Sequence, residues 1–176
     1  MKSPFSYVSF GKQNGLAWYG VKFLYLTFPK TGLVEDWEPL LLESDNGVTD
    51  YMLCELAVRL CSEKLRDVIS QNLGPNDAVQ WLPVTVSAKG SSFDYYIMHF
   101  PNPVDCLDME RSIIVNGDDV ARPVFQSWMP GDHRIFTYLG AKNLPWYVVP
   151  NVKKVFRKEE CTGLTYEPVL MASSLE

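Results

Sequence analysis

Residues 58–86, "VRLCSEKLRDVISQNLGPNDAVQWLPVTV", decide how this chain folds, because they join an apolar run, a helix and a strand in one continuous stretch. Ser62 stands where a side chain can cap a helix, and Leu65, Val68, Ile69 and Leu73 then recur on one face at helical spacing. Gly74-Pro75 stops the pattern, which predicts a helix over Ser62–Leu73. "QWLPVTVSA" follows as a strand, "KGSS" as a turn and "FDYYIMHF" as a second strand, so the pair reads as a hairpin.

The last third of the chain uses the same plan. "WYVVP" is extended, and Asn151 is placed to cap a helix over Asn151–Glu160 whose apolar face is Val152, Val155 and Phe156. Gly163 can terminate it, and "LTYEPVL" returns as a strand. "VRLCSEKLRDVIS…QWLPV" and "VVPNVKKVFRK…TYEPV" thus share one grammar: an extended lead-in, a polar cap, a short amphipathic helix and an aromatic-x-Pro-Val strand. Ser62 to Trp81 spans 19 positions and Asn151 to Tyr166 spans 15, a difference of 4 that matches "GPND". Proline removes a ladder donor, so Pro83 and Pro168 are expected at an edge or a bulge. The grammar predicts one strand-helix-strand unit used twice; the alternative is chance similarity between two short segments.

Outward from these units the signals are weaker. Residues 16–28, "LAWYGVKFLYLTF", are β-branched and aromatic enough for one or two strands, with Gly20 as a candidate bulge. Residues 29–50 read as a loop-rich connector holding a short apolar patch, Leu40 to Leu42. "YMLCELAVRL" is open between helix and strand, since periodicity alone does not assign a short apolar run. "PNPVDCLDMERSII" begins as a loop with a helical turn after Asp108, and "VNGDD" is a turn. "VARPVF" and "RIFTYL" are strands with the loop "SWMPGDH" between them.

At 176 residues, 47% hydrophobic and 21% charged, the chain has the composition of one globular domain rather than a disordered segment. Aromatics at 13%, with 12 Pro and 11 Gly, favour a strand- and turn-rich body. The formal charge of −5 argues against a general nucleic-acid binder. No apolar stretch is long enough for a signal-peptide core or a membrane-spanning helix, so the expected compartment is the cytoplasm, with no membrane partner. Leu175-Glu176 reads as a cloning scar and is set aside. Cys54, Cys61, Cys106 and Cys161 have no C-x-x-C spacing, and His99 and His133 lie far from them in sequence. Free thiols are therefore expected, with no metal and no cofactor.

Catalytic signatures are sparse. Asp105 and Asp108 form the best carboxylate pair, either as an acid–base or metal pair or as local caps at a loop-to-helix junction. Asp132-His133 reads as a turn aspartate beside a surface histidine. No G-x-S-x-G, Walker-type loop or G-x-G-x-x-G occurs. Lys153, Lys154, Arg157 and Lys158 crowd one short helix, with Lys153 and Lys154 in its first turn and Glu159 and Glu160 in its last, both of which oppose the macrodipole. Such a face either meets an acidic surface or is simply solvated. Trp37, Trp128 and Trp146 fall in segments rich in Pro, Gly or charge, as interface anchors or as covers of a core edge.

The sequence resembles a bacterial immunity-protein family of polymorphic toxin systems, first catalogued as a domain of unknown function. The resemblance rests on "TDYMLCELAVRLCSEKLRDVI", "VQWLPVTV", "YYIMHFPNPVDCLDMERSI" and "VVPNVKKVFRKEECTGLTYEPV". It covers roughly residues 50–170, leaving the strand-rich first fifty unmatched. It implies a protein that binds and neutralises a cognate toxin made beside it. The expectation is therefore a single α+β domain over 1–174, with antiparallel or mixed sheet and two short helices, and no catalysis. The residues expected to meet the toxin are Lys153, Lys154, Arg157, Lys158, Trp128, Asp105 and Asp108. The alternative is an enzyme or small-ligand protein with a pocket near Asp105, Asp108 and His133.

Overall fold

Alternation of apolar and polar residues from Gln80 onward produces the central ladder of the computed structural model, which describes residues 2–10, 16–18, 31–44, 47–54, 58–115, 119–126, 132–141 and 145–172. Within them the chain runs β1 (Lys2–Phe10), β2 (Leu16–Trp18), β3 (Leu40–Ser44), β4 (Tyr51–Cys54), β5 (Arg59–Ser62) and α1 (Glu63–Gln71). It continues through β6 (Gln80–Ala88), β7 (Ser91–His99), β8 (Ile113–Val115), β9 (Asp119–Arg122) and β10 (Val124–Phe125). β11 (Ile135–Phe136), β12 (Trp146–Val148), α2 (Pro150–Lys158) and β13 (Leu164–Met171) complete it.

β6 and β7 form the predicted hairpin, paired from Gln80↔His99 to Ala88↔Ser91. Lys89 and Gly90 both have positive φ, 50° and 78°, which gives the two-residue connection the twist that antiparallel strands need. Both strands belong to a closed six-stranded barrel of order β2-β3-β6-β7-β5-β4. The β2–β4 and β3–β6 pairs are parallel and the others antiparallel. Leu42, Met52, Leu60, Leu82, Val86 and Ile97 fill its interior. "YMLCELAVRL" resolves as β4 and β5 of this barrel, and the apolar patch at Leu40–Leu42 is strand β3, not connector. Leu41 points out while Leu40 and Leu42 point in. Of residues 16–28 only β2 is described.

A second sheet has the order β10-β13-β1-β12-β11. Its centre is β1, which precedes the strands expected in residues 16–28. The two helices share one apolar layer with both sheets. Leu65 and Ile69 of α1 and Val152 and Phe156 of α2 cluster with Cys61 and Met98 of the barrel and with Trp146 and Val148 of the sheet. Tyr147 points the other way, into a third cluster with Cys106, Phe125, Phe136 and Val169. The period-2 alternation of β12 thus places one strand between two cores.

Local signals explain the helix ends, with two corrections. Ser62 caps α1 as predicted, its hydroxyl accepting from the Leu65 N–H at 3.2 Å. The helix ends at Asn72, before Gly74-Pro75. Gly74 is there for another reason, since a Cβ would meet the Asp132 carbonyl at 2.1 Å. Asn151 does not cap α2: Val149 is the N-cap residue, and Pro150 occupies the first turn, where no N–H is needed. Glu159 is the C-cap and Glu160 lies beyond it, leaving Arg157 and Lys158 in the last turn of the helix, so the charge at its C-terminal end is more favourable than expected.

The prolines divide. Pro168 borders a register shift in β1 between Lys2 and Ser6, as a bulge requires. Pro83 lies on an interior strand, and is tolerated because the β3 ladder begins one residue later, at Val84. Each helix links two strands that are antiparallel to the same middle strand: β5 and β6 flank β7, and β12 and β13 flank β1. Two units with one connectivity need not be copies.

Candidate functional site

Of the carboxylates and histidine of the enzyme alternative, Asp108 and His133 are held in structural bonds. Asp108 accepts hydrogen bonds from the Arg111 backbone N–H and guanidinium, both at 3.1 Å, so it caps its own turn. Asp105 is exposed. His133 pairs neither with them nor with Asp132; its Nδ1 donates to Asp77 at 2.9 Å. The Asp77 carboxylate is fully buried and also accepts the N–H groups of Gly74, Arg134 and Ile135, at 2.6, 2.9 and 2.8 Å. It ties the loop after α1 to the start of β11. Among the described residues no group of three or more His, Cys, Asp or Glu side chains converges as a metal site. Cys61 and Cys106 are buried free thiols, and burial pushes the Cys106 thiol up to about 12, far from a ready nucleophile.

The cations of α2 fall into two pairs. Lys153 lies over the Tyr166 ring at 4.7 Å and Arg157 at 5.9 Å, so both cover β13 from the helix. Lys154 and Lys158 are exposed, as is Arg157, and Lys158 stands 3.9 Å from Glu159. Trp146, expected near the surface, is fully buried, and its indole N–H donates to the Tyr51 hydroxyl at 2.9 Å. Trp37 donates to the Pro83 carbonyl and packs on the barrel core. Trp128 lies outside the described residues.

Sequence reading missed the polar node that joins the two halves. Asp50, just before β4, accepts the Ser62 hydroxyl at 2.7 Å, the Thr162 N–H at 2.7 Å and the Thr162 hydroxyl at 2.9 Å. Lys64 sits 3.7 Å away and also donates to the Glu160 carbonyl. Burial raises the Asp50 pKa, but these donors outweigh it, and the carboxyl ends below its ordinary range. Thr162 returns a carbonyl to the Tyr51 N–H, and Gly163, at φ 81°, packs so close to the Tyr51 carbonyl that a Cβ would stand 2.3 Å from it. The "TD", "SEK" and "TG" pieces of the resemblance therefore meet in one place. Their separation of over a hundred positions hid it, because helical and strand periods report only neighbours.

Also missed was a surface. β8 and β9 form a two-stranded ribbon, and Met109, Ile113 and Val115 are 59%, 50% and 42% exposed. Across the described residues, the polar groups of Asp50 and Asp77 join parts of the molecule. By comparison, this α+β body, a mixed barrel beside a second sheet, falls among immunity proteins. Residues 40–169, well over half of the chain, match the immunity protein family Imm11, and the chain belongs to that family. The match includes β3, ten positions before the resemblance in sequence begins. A comparison with curated proteins found no match.

Proposed function

We propose that this chain neutralises a cognate toxin domain by binding it, without catalysis, and that it does so in the cytoplasm. The observation that carries this reading is the family match over residues 40–169. The engagement of Asp77, Asp108 and His133 in local structural bonds supports binding over chemistry. No helix among the described residues is long and apolar enough to cross a membrane, which fits a meeting with the toxin before export. The proposed contacts are the α2 cations, the exposed Lys154, Arg157 and Lys158 with the half-buried Lys153, together with Asp105, Asp108 and Trp128.

The test is co-expression with the toxin encoded beside this gene, followed by isolation of the complex. Rescue of growth together with a stable complex is expected. An interface of standard size would bury roughly 1,200–2,000 Å² in total. Rescue with no complex detectable would overturn the binding reading in favour of an enzyme acting on the toxin or its product.

A further inference from the structure

The surface between Asp105 and Arg122 differs from the rest of the molecule. β8 and β9 pair with each other and, among the described residues, with no other strand. One side of the ribbon is anchored, since Val120, opposite Ile114, packs against the cluster around Cys106 and Phe125. The strand period of two turns Ile113 and Val115 to the other side, which is open. Met109 lies four positions before Ile113, in the turn that the Ser112 N–H closes by donating to the Asp108 carbonyl at 2.9 Å. Three of the eight exposed large apolar side chains among the described residues thus fall between positions 109 and 115. Scattered surface hydrophobes need no explanation; a cluster on an otherwise solvated ribbon does.

Charge says what covers it. Residues 105–122 carry five carboxylates against two guanidinium groups, a surplus of three where the whole chain has five. Arg111 is bound to Asp108, while Asp105 and Glu110 remain exposed beside the apolar cluster. An apolar centre with a charged rim is the anatomy of a protein interface. A second copy of this chain would bring the same surplus of acids against itself, whereas a basic partner would be attracted.

We propose that the outer face of the β8–β9 ribbon, centred on Met109, Ile113 and Val115 and rimmed by Asp105 and Glu110, is the principal docking surface for a basic face of the cognate toxin. This rests on the immunity reading and specifies where the partner binds. The apolar centre sets how long the complex lasts, and the acidic rim sets how fast it forms.

The test uses the full chain and an inactivated form of the toxin domain encoded beside it, in a kinetic binding assay. The triple variant Met109→Ser/Ile113→Ser/Val115→Ser is expected to raise Kd by roughly 100-fold or more, mostly through faster dissociation. Asp105→Asn/Glu110→Gln is expected to slow association at low salt and flatten its salt dependence. Lys154→Glu/Lys158→Glu should change Kd less than the ribbon triple. Hydrogen exchange on the unaltered complex, which needs no variant, should protect residues 109–122. An unchanged Kd for the triple variant, with wild-type binding intact and no protection of the ribbon, overturns this proposal and leaves the immunity reading standing. Loss of all binding and rescue by the wild-type chain removes the immunity reading itself. A dimer of the free chain that the triple variant dissolves would assign the ribbon to a second copy instead.

Discussion

At the scale of single residues, Asp50 shows how one carboxylate can link two halves of a fold. It accepts from Ser62, which caps α1, and from Thr162, which follows α2, so both helices are anchored on the same side chain. An asparagine there could keep one acceptor but would turn an N–H₂ donor toward the Thr162 N–H. Asp50→Asn should therefore cost about 1.5–3 kcal/mol at pH 7, the range for hydrogen bonds to a charged group. Its folded-state pKa lies below the unfolded value near 3.8, so the stabilisation is present above that value and is lost as pH falls through the folded one. The gap in stability between parent and Asp50→Asn should accordingly close below about pH 4, measured by urea melts from pH 7 to pH 3. A gap independent of pH would mean that the ionised carboxylate is not what the node needs. His133 illustrates the opposite lesson about reading a sequence. Beside Asp132 it reads as a surface histidine, but it is half-buried and its partner is Asp77, 56 positions away, a pair that no local pattern announces.

At the scale of elements, legibility followed the strength of the local period. α1 and α2 showed their apolar faces, and the β6–β7 hairpin showed both its alternation and its Lys-Gly turn. β3 was hidden because "LLL" has no alternation; only its place beside β6 turns Leu41 outward and its neighbours inward. β10 and β11 are two residues each and exist as strands through their partners β13 and β12. β1 is the centre of its sheet although it contains Pro4, a residue that removes a ladder donor. For α2 the apolar face predicts energetics directly. Phe156 is buried against Trp146, ring centres 6.1 Å apart. Phe156→Ala should cost about 3–5 kcal/mol in a denaturant melt, because the shared layer cannot collapse around the void. Lys154→Ala, on the exposed side of the same helix, should stay within about 0.5 kcal/mol. A loss below about 1 kcal/mol for Phe156→Ala would show that α2 is not seated on the core.

At the scale of the whole molecule, the question is whether a closed barrel and a five-stranded sheet unfold as one body. Each has its own core, the barrel around Leu42, Leu60 and Ile97 and the sheet's outer face around Phe125 and Tyr147. Between them lies the layer built by both helices, Cys61 and Met98 from the barrel, and Trp146 and Val148 from the sheet. Tyr51 of β4 and Trp146 of β12 meet across it edge to face, with ring centres 5.7 Å apart and a hydrogen bond between their polar tips. Removing the sheet would strip apolar cover from the barrel's flank and from both helices at once, so neither part keeps its partners when the other opens. Unfolding in urea should then be a single transition in which tryptophan fluorescence and far-UV circular dichroism coincide. Tyr51→Phe keeps the ring contact but leaves the buried Trp146 N–H without that acceptor, which costs about 1–3 kcal/mol. If the layer couples the two parts, the variant shifts both probes by the same amount with an unchanged slope. Separation of the two curves in Tyr51→Phe, with fluorescence moving first, would show instead that the sheet and barrel are joined more weakly than each is held together.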